Sequence, residues 1–334
     1  MINIVYNVFF ISIFQKVLLK VHPYIHRILY YHILSDAEEE CSYYYNPNII
    51  NFNVLVKQVR WLRNNGFIAV SVQECLADPQ RYKNKRTFSI STDDGYSQNY
   101  SLFAPYFEKE KIPCILFLCN NAINNQQFLA KDRLVYIERN LYQEDIMKVA
   151  GLLTEKYNLV PFSKNSNLTK WSNMWPVEKI DEISKSLWQL LLLPDESELV
   201  SNIKPYLSEE QVRDLIKRGF TIGSHTNAHL DLSKLSSSLV EHEIVGSITN
   251  LRQRFNVPVE FFSYPYGKRV NPALEEEMIK KSGCSLFFST RNDLNYGAIK
   301  TCWGRDRMEH SFHKSLFWFL AVPLIRRAIN KWKS

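Results

Sequence analysis

No C-x-x-C pair occurs among the six cysteines, Cys41, Cys75, Cys114, Cys119, Cys284 and Cys302, and their spacing suits neither a zinc ribbon nor a disulfide framework. Buried free thiols are the expectation, and with them a reducing, cytoplasmic compartment. The chain also lacks the ~20 consecutive apolar residues that a membrane-spanning helix needs. Residues 2–14 are apolar, but Asn3 and Asn7 interrupt them, no basic residue precedes them and no small-residue cleavage site follows. An amphipathic surface helix fits this stretch better than an anchor or signal peptide. No internal repeat or low-complexity tract is present, and no helix gathers a Lys/Arg stripe of the kind that phosphate contacts require. The net charge of +7, from 41 basic and 34 acidic side chains, is modest for 334 residues. Together these absences exclude sequence-specific nucleic-acid binding and favour an anionic surface or substrate.

What is present is enough apolar sequence for a large core: 46% hydrophobic against 22% charged residues. Short β-branched and aromatic runs at 27–33, 67–72, 87–92, 114–119, 220–224, 261–264 and 285–289 read as strands. Helical periods lie between them. Leu55, Val59 and Leu62 share a face in a helix that stops at Gly66. Ser208-Glu-Glu-Gln211 is a capping box whose helix ends at Gly219, and Asn271-Pro272 opens another that closes at Gly283. Strand then helix, repeated, predicts an α/β fold, a deformed (β/α)7 TIM-like barrel. Residues 121–205 break the alternation and read as a helical insertion packed over the barrel mouth. Their apolar content is patchy, and Trp171, Trp175 and Trp188 need a surface to cover. The predicted organisation is an N-terminal amphipathic segment at 1–26, a barrel at 27–314 and an amphipathic basic helix at 315–334.

Three segments carry chemistry. Phe88-Ser-Ile-Ser-Thr-Asp-Asp-Gly-Tyr96 is a strand ending in two adjacent carboxylates, Asp93 and Asp94. Such a pair repels itself unless a cation or donors separate the roles of its members. A plain Asp-Asp-Gly turn is the alternative. Phe220-Thr-Ile-Gly-Ser-His-Thr-Asn-Ala-His229 follows another strand and offers two imidazoles, His225 and His229, to one divalent ion. With Asp94 they form a nitrogen and oxygen set that zinc accepts while a fourth position stays open. Phe262-Ser-Tyr-Pro-Tyr-Gly267 ends in a turn able to aim a backbone N–H into the barrel mouth, or in a plain aromatic turn.

In order and spacing these segments resemble the polysaccharide deacetylases, the NodB-homology group of carbohydrate esterases (family four). Ser91-Thr92-Asp93-Asp94-Gly95 is similar to T-F-D-D-G, His225-Thr226-x-x-His229 to H-[ST]-x-x-H, and Pro265-Tyr266-Gly267 to the end of R-x-P-Y. Leu29-Tyr-Tyr-His-Ile33 resembles the L-x-Y-H strand of the circularly permuted subgroup that acts on poly-N-acetylglucosamine. The likeness covers about 28–119 and 206–307. It implies Asp93 as base, Asp94, His225 and His229 as ligands of a divalent metal (zinc first), the Tyr266 amide as oxyanion donor and His32 as general acid. A packed core histidine is the alternative for His32, and His310 and His313 are its competitors as acid. Three departures from the pattern stand out. Ser263 stands where arginine is frequent, Thr92 replaces phenylalanine, and no D-x-x-D-W motif offers Asp93 a partner.

The resemblance implies a metal-dependent hydrolase that removes N-acetyl groups from an amino sugar in a polysaccharide or lipid-linked glycan. O-acetyl ester hydrolysis on the same fold is one alternative. A catalytically silent glycan-binding protein, suggested by the missing arginine, is another. Residues 316–325 are apolar and precede Arg326, Arg327, Lys331 and Lys333. They suit either a helix lying on an anionic leaflet at the inner face of the cell membrane or one docked on the barrel.

Overall fold

The computed structural model describes residues 15–21, 25–36, 48–163, 166–290 and 301–333. The surface helix expected at 2–14 and Cys41 lie outside the described residues. The main sheet is wholly parallel. It contains β1 (His26–Tyr31), β4 (Phe67–Ala69), β5 (Arg86–Thr92), β6 (Cys114–Leu118), β7 (Thr221–Ser224), β8 (Phe261–Ser263), β9 (Leu286–Ser289), β10 (Cys302–Gly304) and β11 (Asp306–Arg307). Its path runs β10-β9-β8-β7-β6-β5-β1-β11, with β4 paired to the start of β5. A small second sheet pairs β2 (Ile33–Ser35) with β3 (Ile49–Asn51).

The two ends of that path are neighbours in sequence. Only Arg305 separates β10, which pairs with β9 through Cys302 and Phe287, from β11, which pairs with β1 through Leu29 and Asp306. Residues 302–307 therefore behave as one interrupted strand that closes the sheet on itself, giving the deformed (β/α)7 barrel that strand and helix alternation predicts.

Alternation along the strands separates two cores. Ile28, Ile115, Phe117, Phe261, Leu286 and Phe288 fill the barrel interior. Their neighbours Leu29, Ile90, Leu116, Ile222, Phe262 and Phe287 face the surrounding helices. Gly223 is required by this interior, because a Cβ there would come within 2.5 Å of the Phe117 ring.

The local signals hold at the helix ends. Asn51 caps Phe52–Asn64, the Ser208–Gln211 box caps Glu209–Lys217, and Asn271 caps Pro272–Ser282, which stops at a left-handed Gly283. The expected strand at 67–72 ends earlier, at Ala69, because Ser71 and Glu74 form a second capping box that starts the helix Val72–Ala77. The run at 27–33 is likewise broken: His32 separates β1 from β2, which turns away to pair with β3. The five described cysteines are buried and unpaired.

Among the described residues, the stretch 121–205 forms five α-helices, from Ala130–Asn140 to Glu196–Ile203. They have a core of their own, which corrects the expectation of patchy apolar content. Phe128, Leu134, Ile137, Leu153, Ile183 and Leu187 surround Trp171, Trp175 and Trp188, so the tryptophans pack within the insertion and need no barrel surface to cover. Buried Arg133 pairs with Glu196 and Asp181 and fastens its first helix to two others.

The helix Phe312–Lys333 docks on the barrel through buried Leu316, Phe319, Leu320 and Ala321, while Phe317, Trp318 and Ile325 stay exposed. No helix among the described residues is long and apolar enough to cross a membrane. Arg27 of β1 ties this helix to the closing strand. Its guanidinium donates to Asp306 at 2.7 and 2.6 Å and to the Phe319 carbonyl at 2.7 Å, lying 3.9 Å over the Phe319 ring. Removing one partner of a fully buried pair strands the other charge, which typically costs ~3–5 kcal/mol. Arg27→Met is therefore expected to lower unfolding free energy in urea by that amount. A loss below ~1 kcal/mol would mean that Asp306 finds water and the closing strand does not depend on Arg27.

Candidate active site

The site lies where β1, β5, β7 and β8 end, at their C-terminal edge, the edge at which parallel barrels gather their reactive groups. At the end of β5, Asp93 N–H donates to the Tyr31 carbonyl at 3.0 Å and prolongs the pairing with β1 by one residue. The backbone then turns left-handed at Asp94 (φ 70°) and Gly95 (φ 78°). This reversal sends two adjacent, fully buried carboxylates to different partners.

Asp94 meets the two imidazoles. Its Oδ1 lies 3.1 Å from His229 Nε2 and 3.6 Å from His225 Nε2, and the three prospective donor atoms fall within 4.8 Å of one another. His225 Nδ1 is 2.7 Å from the Ser263 carbonyl, which can only accept, so Nδ1 carries the proton and the Nε2 lone pair faces the carboxylates. Burial holds His225 down at about pH 4 despite Asp93 nearby, keeping it in the neutral, ligating form. Burial would raise the Asp94 carboxyl, but Lys131 and His229 hold it well below the ordinary range. Among the described residues, Asp94 Oδ1 receives no hydrogen bond of acceptable geometry, and the buried His229 Nδ1 has none either. A buried, ionised oxygen left so, facing one neutral imidazole lone pair and a second ring nitrogen, fits a divalent cation.

Asp93 takes the other partner, one that the motifs did not reveal. Arg305, the residue that interrupts the closing strand, donates to Asp93 Oδ1 at 2.6 Å and Oδ2 at 2.7 Å. It also donates to Ser91 Oγ at 3.0 Å and Ser263 Oγ at 2.7 Å, and its guanidinium lies 4.8 Å from the Tyr30 ring centroid and 5.1 Å from that of Phe117. The departure at Ser263 is thereby explained. An arginine there would claim the space that Arg305 fills from the neighbouring strand end, and small serines at 91 and 263 make room for it. Burial pushes the Asp93 carboxyl up, but Arg305 and His225 overcome this and hold it below the ordinary value.

His32 sits in the break between β1 and β2. Glu309, two residues past the closing strand, accepts from His32 N–H at 2.6 Å and pairs with its Nδ1 at 2.8 Å. Burial lowers the imidazole, but the Glu309 carboxylate outweighs burial and pushes it up to about 9. His32 is thus paired with a carboxylate, which favours its protonated form. His310 packs on Trp318 and His313 on Phe312.

The loops are held by strained but tightly bonded backbone. Thr226 (φ 73°) and His229 (φ 57°) are left-handed, and Glu243 accepts from the Asn227 and Ala228 amides at 3.0 and 3.1 Å. Tyr266 is left-handed too (φ 58°), with its ring 4.7 Å from that of His229. In this turn the Gly267 and Lys268 amides donate to the Tyr264 and Pro265 carbonyls. A Cβ at Gly267 would sit 1.9 Å from Thr290 Oγ1, so only glycine closes the turn.

The family model for polysaccharide deacetylases matches residues 80–283, more than half of the chain. The chain belongs to the polysaccharide deacetylase family. It is a hydrolase of carbon–nitrogen bonds other than peptide bonds, acting on acetylated glycans. No curated protein matches this deacetylase by sequence. Among solved structures, IcaB from Ammonifex degensii is similar at TM-score 0.55 and 16% identity, over 89% of this chain and 97% of that one. The Streptococcus pyogenes deacetylase PplD in complex with acetate is similar at 0.54 and 14%, over 90% and 99%. At these identities the likeness is one of fold. The family match contains Asp93, Asp94, His225, His229 and Tyr266; His32, Arg305 and Glu309 lie outside it.

An NMR titration of the His32 ring tests the Glu309 pairing. Wild type is expected to titrate near pH 9, and Glu309→Gln to fall toward the ordinary ~6.5. A raised folded-state value adds stability that is complete below ~6.5 and disappears as pH climbs through 9. The variant should lose that increment at pH 6 and little at pH 10. A midpoint still near 9 in Glu309→Gln would remove Glu309 as the cause.

Proposed function

We propose that this deacetylase removes N-acetyl groups from an amino sugar in a polysaccharide or lipid-linked glycan, using a divalent metal ion, zinc first, held by Asp94, His225 and His229. The observation that carries the reading is the division between the two carboxylates: Arg305 holds Asp93, and Oδ1 of Asp94 faces two imidazoles. An ion held there supplies the charge that polarises the acetyl carbonyl and acidifies water.

Asp93 acts as base. Kept ionised by Arg305, it takes one proton from the attacking water as the new C–O bond forms. The Tyr266 N–H donates to the oxygen on which negative charge develops, a contact whose loss typically costs ~10²–10³ in rate. His32, protonated at neutral pH, gives its proton to the sugar nitrogen as the C–N bond breaks, and acetate and the free amine result. Arg305 supplies the arginine that Ser263 lacks, and the reason for considering a silent glycan-binding protein goes with it.

Release of acetate from N-acetylated oligosaccharides is expected to fall at least ~10²-fold in Asp93→Asn and His225→Ala, and to be abolished by chelator and restored by Zn2+. Undiminished activity in chelated enzyme would end the metal reading, and release from O-acetylated glycans alone would favour the ester.

We further propose peripheral contact with an anionic leaflet at the cytoplasmic face, which would bring a lipid-linked glycan within reach. Exposed Phe317, Trp318 and Ile325 on the last helix support it, as do Arg326, Arg327, Lys331 and Lys333 in its sequence. Sedimentation with phosphatidylserine vesicles should be lost in Phe317→Ser/Trp318→Ser. Equal recovery of both proteins with the lipid would reject this surface.

A further inference from the structure

Lys131 and Asp132 stand in the first turn of the first helix of the insertion, Ala130–Asn140, and Lys131 reaches Asp94. The Lys131 ammonium donates to Asp132 Oδ1 at 3.0 Å and to the Tyr96 hydroxyl at 2.6 Å, and it forms an ion pair with Asp94 Oδ2 at 3.0 Å. Its side chain is not wholly covered. The ammonium is itself held in place from behind. Tyr96 donates to Asp132 Oδ1 at 2.8 Å, Tyr206 donates to Asp132 Oδ2 at 2.6 Å, and the two rings stack with centroids 5.7 Å apart. Tyr206 in turn accepts from the Leu129 N–H at 3.0 Å, one residue before the helix. Asp132, Tyr96 and Tyr206 are buried, and the Lys131 ammonium is what the cluster projects into the site.

We infer that Lys131 is a positioning residue for the metal site: by engaging Oδ2 of Asp94 it leaves Oδ1 as the one carboxylate oxygen offered to the ion alongside His225 and His229. The inference rests on the metal reading given above. Two consequences follow from elementary electrostatics. A carboxylate with one oxygen engaged gives a single donor, so the ion keeps a position for substrate that a two-oxygen grip would fill. The ammonium also repels the cation it helps to arrange, so the wild-type site binds metal more weakly than its three ligands alone would. Both effects act in one direction when the lysine is removed. This is opposite to the usual result of losing an outer-shell hydrogen bond, which weakens metal binding by ~10–100-fold.

The experiment measures Zn2+ affinity by chelator competition, and the visible absorption of the Co2+-substituted protein, for wild type, Lys131→Met, Lys131→Arg and His225→Ala. Lys131→Met is expected to bind Zn2+ at least ~10-fold more tightly. Its Co2+ bands should weaken, as they do when coordination number rises, and kcat should fall with KM little changed. Lys131→Arg, which keeps the charge and a donor for Oδ2, should stay near wild type in both readouts. Should Lys131→Met fail to fold, Lys131→Gln removes the charge at similar length, and tighter binding is again expected. Unchanged or weaker Zn2+ binding in the neutral variants, with wild type and His225→Ala differing as expected, would overturn the inference and leave the metal site standing. Wild type and His225→Ala binding alike would instead defeat the metal reading itself.

Discussion

Two carboxylates on consecutive residues, both out of reach of solvent, are the condition to which the rest of the molecule answers. Left without cations they would take up protons or force the barrel mouth open, since an isolated buried charge costs far more than any one contact returns. Asp93 receives a guanidinium from the closing strand, and Asp94 receives two imidazoles and an ammonium. Each solution has structural requirements of its own. The guanidinium needs serines at 91 and 263 and aromatic faces at 30 and 117. The ammonium needs the tyrosine pair and Asp132 behind it.

The backbone around these groups is forced into sparsely populated conformations. Asp94, Thr226, His229 and Tyr266 all have positive φ, and residues held there typically cost on the order of 1–3 kcal/mol each. Fixed bonds offset the strain: Glu243 on two amides of the 225–229 loop, Thr226 Oγ1 on the His229 amide, and the Asn120 side chain bridging to Asn227. The site is rigid because its irregular segments are bonded at almost every step.

Much of this was legible in sequence wherever it depended on near neighbours. The cluster of Asp94, His225 and His229 could be read because Asp93-Asp94-Gly95 and His225-x-x-x-His229 each sit directly after a recognisable strand. Helix ends could be read because capping is a matter of three or four residues. What escaped was held by partners far away in the chain. Arg305 and Glu309 sit in or beside strands of two or three residues, too short to show a period, and only barrel closure brings them to Asp93 and His32. The insertion looked too thin in apolar residues because its tryptophans were counted as surface cover when they are its own centre.

The pairing of β1 with β11 joins residues separated by almost the whole described chain, Leu29 with Asp306. During synthesis on the ribosome, β1 must therefore wait for its neighbour, and Asp93 for its counter-charge, until the chain has grown past residue 309. Most of the barrel can assemble before that moment, but with Asp93 still lacking Arg305. A nascent chain of this kind closes its barrel late, with an unpaired sheet edge that chaperones would have to shield in the interval.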